Sequence, residues 1–225
     1  IDGPVRIKQV RATGGRKQAV LEDGAALRAY LDQVDAAEVE AGGLLLEENL
    51  AAVDTLSFGQ LVIDDLRASY HGTQQLTTDH RGRDAYGGST LTLVRGGFEA
   101  LSALPLPAPT ARALAQVETY DAMARAAYPG LLLSRSNYDV AQGRDPAGRE
   151  RSGVLEQSWR IGGATPAEVV ALERLRAEPQ LQWVRARCRE VYGDCTPPDE
   201  ALVLFAGDDP RVGRITLYAQ VEEVG

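Results

Sequence analysis

The sequence predicts an α+β fold of antiparallel strands and packed helices, and three observations point to it. Apolar and polar residues alternate at a period of two around 5–11, and further strand-like runs separated by turn-forming residues follow around 55–70 and 137–159. Such runs are half-buried strands folded back on one another. Between them lie segments with apolar residues at helical spacing behind a capping residue, at Asp23, Thr110 and Thr165. Finally, 225 residues with 44% hydrophobic content are enough for one good core or two small lobes that share a cleft.

Val5-Arg6-Ile7-Lys8-Gln9-Val10-Arg11 reads as a strand, Thr13-Gly14-Gly15-Arg16 breaks it, and Gln18-Ala19-Val20-Leu21 resumes it, so the chain opens with a glycine-tipped hairpin. Asp23 caps a helix that carries Leu27, Tyr30, Leu31 and Val34 on one face. Gly42-Gly43 ends this β-β-α unit, and Leu44-Leu45-Leu46-Glu47-Glu48 reads as a buried strand running into two acids. Residues 55–63 and 66–70 are antiparallel strands joined at Asp64-Asp65. The polar, glycine-bearing stretch 72–88 is expected to be a long loop, followed by a strand at 89–94.

After the proline-rich run at 104–109, Thr110 starts a helix with Leu114, Val117, Tyr120, Asp121 and Ala124 at helical spacing. A strand through Asn137-Tyr138-Asp139-Val140 meets the turn Asp145-Pro146-Ala147-Gly148 and returns over 152–159. Thr165-Pro166-Ala167-Glu168 has capping-box spacing, and helices are expected at 167–177 and 180–192. Strands near 201–206 and 213–221 close the chain.

Composition excludes several classes. A net charge of −8 repels nucleic-acid backbones. No apolar run reaches spanning length, and no signal-peptide pattern occurs. Cys188 and Cys195, with no histidine nearby, make no zinc signature, so a reduced cytoplasmic protein is expected. The chain begins at Ile1 without methionine and is expected to be part of a longer protein. Only two of the 24 basic residues are lysines, Lys8 and Lys17, and both flank the glycine turn.

Three constellations could carry chemistry. In the first, Lys8 on a strand beside Gly14, Gly15 and Arg16 could hold phosphate through fixed charge and close backbone approach; equally, the glycines could simply make a turn. In the second, Leu46, Glu47 and Glu48 could offer backbone and carboxylate groups to an adenine or ribose, or could be a strand leaving the core for solvent. The third places Asp139 and Glu156 on strands flanking one turn, with Ser158 and then Arg160 at two-residue steps beyond Glu156. Side chains two apart share a strand face. Two carboxylates and a hydroxyl are hard oxygen donors of the kind Mg²⁺ takes; the alternative is a solvated face with a structural salt bridge.

In order and spacing these constellations resemble the ATP-grasp superfamily, whose members include biotin carboxylase, D-alanine–D-alanine ligase and glutathione synthetase. The resemblance covers about residues 5–163. The stretches at 86–98, 136–143 and 154–164 are also similar to an uncharacterised bacterial, proteobacterial domain family with an ATP-grasp-like fold and no assigned reaction. The resemblance implies two α+β lobes with antiparallel sheets enclosing a nucleotide cleft: a lid lobe at 1–46 and a large lobe with the metal site at 47–225. It implies ATP and Mg²⁺ as cofactors and a small carboxylate as substrate, activated as an acylphosphate and captured by an amine or thiol in a ligase reaction. Lys8, Gly14, Gly15 and Arg16 would hold phosphates, Leu46, Glu47 and Glu48 would border adenine, and Asp139, Glu156 and Ser158 would carry the metal. Arg160 would neutralise charge on the transferred phosphoryl group. Ser158 stands where the superfamily has asparagine. That departure leaves a non-catalytic nucleotide-binding protein as an alternative, beside an α+β interaction module that takes no nucleotide.

Overall fold

The computed structural model describes residues 3–9 and 17–225. Gly14, Gly15 and Arg16, expected to cradle phosphate, lie outside the described residues. Contacts divide the chain into two compact units, Ile1–Asp54 with Gln142–Arg151 and Thr55–Ala141 with Ser152–Gly225.

The first unit holds strands β1 (Val5–Gln9), β2 (Gln18–Leu21) and β3 (Leu44–Glu48), with helices α1 (Gly24–Leu31) and α2 (Ala36–Gly42) between β2 and β3. The sheet order is β2-β1-β3, antiparallel throughout. Asp23 caps α1 as expected: its carboxylate accepts from the Ala25 and Ala26 N–H groups at 2.8 Å, which satisfies two donors the helix itself cannot. The buried apolar residues of this sheet are Ile7 and Leu21. β3 is not the buried strand its leucines suggest. Leu45 and Leu46 are 53% and 43% exposed, because β3 is an edge strand and neither α1 nor α2 buries a residue. In the segment Gln142–Arg151 the expected turn forms around Asp145, whose carboxylate accepts from the Ala147 and Arg149 N–H groups at 2.9 Å.

The second unit is built on one eight-stranded sheet. Its strands are β4 (Ala51–Ile63), β5 (Leu66–Thr78), β6 (Asp84–Arg95), β7 (Arg135–Arg144), β8 (Glu150–Ser158), β9 (Trp183–Tyr192), β10 (Leu202–Asp209) and β11 (Gly213–Val224). The order is β10-β11-β9-β6-β5-β4-β7-β8. Helices α3 (Phe98–Ser102), α4 (Ala108–Ala127) and α5 (Thr165–Ala177) complete it. The α+β class with antiparallel pairing is therefore the observed one.

Two expectations change. Residues 72–88 are not a long loop but the paired ends of β5 and β6, with only a short turn between Thr78 and Asp84. Gly72 marks a close approach rather than a flexible point: a Cβ there would lie 2.4 Å from the Thr90 carbonyl oxygen. Residues 180–192 form strand β9, not a second helix. Val184, Ala186 and Cys188 are buried while Arg185, Arg187 and Arg189 alternate with them, and that period of two places only one face against a core.

Each face of the sheet receives a different helix. On one side α5 packs Ala167, Ala171 and Leu175 against Tyr70, Leu91, Leu93, Val184 and Ala186. On the other, α3 and α4 pack Leu101, Leu114 and Val117 against Phe58, Tyr138 and Val140.

Candidate functional site

β7 carries the centre of the site. Tyr138 and Val140 are fully buried on the α4 side, so Asp139 between them points to the opposite face, along with Asn137 and Arg135. β8 meets α4 with residues of both phases. Gln157 accepts a hydrogen bond from Tyr120 of α4 at 2.9 Å, and Trp159 donates to the Tyr138 hydroxyl at 3.3 Å. Trp159 lies beyond the strand end, so the Tyr120 bond to Gln157 is the contact that would turn Glu156 and Ser158 to the Asp139 face. Ser152 and Val154, which alternate in phase with Glu156 and Ser158, also face α4: Ser152 donates to the Gln116 side-chain oxygen at 2.7 Å and Val154 packs against the α4 cluster. Alternation therefore does not set Glu156 and Ser158 on the Asp139 face. Arg160 lies beyond the strand end, where alternation no longer orients it; its guanidinium donates to the Ile161 carbonyl at 2.9 Å.

The immediate partners of Asp139 come from two other strands. Ser57 of β4 donates to one carboxylate oxygen at 2.5 Å, and Gln74 of β5 donates to the other at 3.1 Å and to the Ser57 hydroxyl at 3.2 Å. These partners are neutral. Burial raises the Asp139 carboxyl above its ordinary range, against the lowering effect of the Ser57 and Gln74 hydrogen bonds and of Arg135. A carboxylate held here is short of countercharge.

A second network adjoins it. Arg135 makes a two-pronged ion pair with Glu168 of α5, Nε to Oε2 at 2.7 Å and Nη2 to Oε1 at 2.8 Å. Tyr70 donates to the same Glu168 at 2.7 Å, and Asn137 donates to the Tyr70 hydroxyl at 3.1 Å. Burial, then the Glu168 charge, holds the Tyr70 hydroxyl well above its ordinary pKa. The remaining guanidinium nitrogen of Arg135 donates to the backbone carbonyls of Ser158 at 3.2 Å and Arg160 at 2.5 Å. The ion pair thus grips the end of β8 just where Ser158 and Arg160 sit. Gly59 makes room for the Tyr70 ring, since a Cβ there would lie 2.3 Å from it. Glu168 does not close the expected capping box: it is 1% exposed and turned into the core, while Thr165 accepts from the Gly162 N–H at 3.0 Å.

In the other unit, Lys8 and Glu47 lie on one face of the three-stranded sheet and form an ion pair at 2.7 Å. Leu46 and Glu48 alternate to the other face, with Ile7, so the four residues do not converge there. Glu48 pairs with Arg151 at 3.3 Å.

Among the described residues, no three His, Cys, Asp or Glu side chains gather as a metal group, and no helix is long and apolar enough to cross a membrane. Cys188 and Cys195 are both free thiols. The residues that reading the sequence passed over are Ser57, Gln74, Arg135, Asn137, Tyr70 and Glu168. Arg135 and Asn137 stand four and two positions before Asp139, so the period of two carried a signal for them. Ser57 and Gln74 carried none.

A family model described as "Protein of unknown function (DUF3182)" matches residues 1–219. The chain belongs to that family. No curated protein and no solved structure matches this member of the DUF3182 family.

Proposed function

We propose that this DUF3182 protein is an ATP- and Mg²⁺-dependent ligase of the ATP-grasp type, which activates a small carboxylate as an acylphosphate. The observation that carries the reading is the Asp139 carboxylate, held by the neutral donors Ser57 and Gln74, on the strand next to β8, which carries Glu156 and Ser158. The donor set fits Mg²⁺, a hard cation that keeps several waters and takes only one or two carboxylates alongside phosphate oxygens. Asp139 and Glu156 would hold it, with the Ser158 hydroxyl as an auxiliary donor. When bound, the cation would supply the countercharge that Asp139 lacks and neutralise phosphate oxygens.

The chain's own residues have distinct tasks in this reading. Arg160 swings from the Ile161 carbonyl to meet charge on the transferred phosphoryl group. Arg135 and Glu168 hold the backbone of Ser158 and Arg160 in place. Lys8, with Gly14, Gly15 and Arg16, is proposed for the phosphates, and Leu46, Glu47 and Glu48 for the adenine. Lys8 must then exchange Glu47 for a phosphate oxygen. In the reaction a substrate carboxylate oxygen bonds to the γ-phosphorus as the bond to the ADP oxygen breaks. An amine or thiol then attacks the acyl carbon, and phosphate leaves.

Thermal unfolding with Mg-ATP tests this directly. At a hundred times its dissociation constant the nucleotide should stabilise the protein by about 2.7 kcal/mol, and Asp139→Asn should abolish the part of that shift that requires Mg²⁺. Release of ADP over a panel of carboxylic acids then separates a ligase from a nucleotide-binding protein without turnover. A chain that gains no stability from Mg-ATP, or whose gain ignores Asp139→Asn, would overturn the assignment.

A further inference from the structure

We propose that the side of the sheet facing away from Asp139 carries a second binding site, specific for the oxyanion group of a small molecule, a carboxylate or a phosphate, at Arg187 and Arg189 of β9. The proposal does not depend on the nucleotide reading.

Ala186 and Cys188 are buried against α5, so Arg185, Arg187 and Arg189 project together from the opposite face. The register sets Gln220 of β11 beside Arg187 and Tyr218 beside Arg189 on that same face. A cleft of about 220 Å³ opens there, lined among others by Thr77, Gly87, Arg187, Arg189, Glu190 and Tyr218. In an acidic chain of net charge −8, three guanidinium groups projecting together from one strand need a reason.

Four features distinguish this face from a solvated strand. Glu222, the extra residue of a bulge in β11, pairs with Arg185 at 3.5 Å and Arg187 at 3.0 Å. Among the described residues, by contrast, Arg189 has no carboxylate within ion-pair distance; Glu190, which also lines the cleft, accepts from the Tyr192 hydroxyl at 2.9 Å. The Nε of Arg187 and the Oε1 of Gln220 are buried, yet neither has a hydrogen-bond partner. Buried polar groups are rarely left so, because each costs its desolvation without return. Finally, the register slips between Gln75 and Leu76, which pair with Gly88 and Tyr86. Gly87 is therefore a bulged residue outside the β5–β6 ladder, with backbone polar groups at the cleft wall. A guanidinium with donors to spare, an orphaned N–H and an unladdered glycine are the elements of an oxyanion cradle. The planar fork of arginine fits both carboxylate and phosphate.

Inorganic phosphate and succinate, titrated separately into the full chain at low salt by calorimetry, test the site and distinguish the two chemistries. Saturable binding of at least one, at one per chain, is expected. Arg189→Ala should weaken it about tenfold, and Arg189→Lys, which keeps the charge but loses the fork, should also weaken it. Arg211→Ala, which removes one exposed guanidinium elsewhere, and Asp139→Asn should leave it unchanged. The proposal is overturned if neither anion saturates. It is also overturned if Arg211→Ala weakens binding as much as Arg189→Ala, or if Arg189→Lys binds like the native chain. Loss of the anion in Asp139→Asn would move it to the proposed nucleotide face instead. Failure of the Mg-ATP shift alone leaves this site standing.

Discussion

Glu168 shows how much one side chain can be asked to hold. It is 1% exposed, receives two bonds from Arg135 and one from Tyr70, and has no water to fall back on. The pair's net worth against an apolar replacement is modest, since desolvation opposes the attraction; removing one partner alone is a different matter. Glu168→Ala would leave the Arg135 guanidinium, itself 10% exposed, charged and unmatched. A loss of about 3–5 kcal/mol in urea unfolding is the expected result, and a loss under 1 kcal/mol would mean that Arg135 finds another acceptor. The capping-box spacing at Thr165 gave no hint of this role. Which way a glutamate turns at a helix start depends on what the sheet beneath offers it, and here the sheet offers a guanidinium and a phenol.

At the scale of elements, local periodicity and turn residues predict structure better than polarity of composition does. The turn at Asp64-Asp65, the cap at Asp23 and the knot at Asp145 stand where their residues put them. The polar stretch 72–88 was expected to be a loop because it is rich in glycine and hydroxyl residues, yet Gly72, Gln74 and Ser89 sit inside β5 and β6. Their hydrophilicity belongs to paired strands of the sheet, not to an exposed connection. Hydrogen exchange decides the point: amides in the ladder across 72–75 and 88–91 should be protected to the level of the β6–β9 pairing. Exchange at loop rates would refute the strand. In β9 the alternation of Val184, Ala186 and Cys188 with arginines is present in the sequence, although arginine by itself favours a helix. Packing against α5 outweighs that preference.

For the second unit as a whole, stability should depend on pH through His71. Burial first, then the charge of Arg185, lowers the His71 pKa from its ordinary 6.5. Thr92 lies beside His71 in the ladder, between β5 and the strand that carries Arg185. The unfolded chain therefore binds the proton more readily than the folded one. Stability is complete above about pH 6.5 and declines as the pH falls from there toward the lower folded value, by at most about 1.4 kcal/mol per pH unit for one proton. His71→Gln should flatten that slope in urea unfolding measured between pH 7 and pH 5 (roughly the window in which histidine titrates); an unchanged slope would assign it elsewhere. The amino-acid sequence by itself determined the α+β class, most of the strands, and the presence of two acids on strands that flank one turn, because each depends on residues a few positions apart. Only the tertiary structure decided that Asp139 meets Ser57 and Gln74, which are 82 and 65 positions away, and that Glu168 turns inward to Arg135. Those meetings are set by strand order and register across the sheet, and register is chosen by which faces can be buried together, a property that no single stretch of the chain possesses.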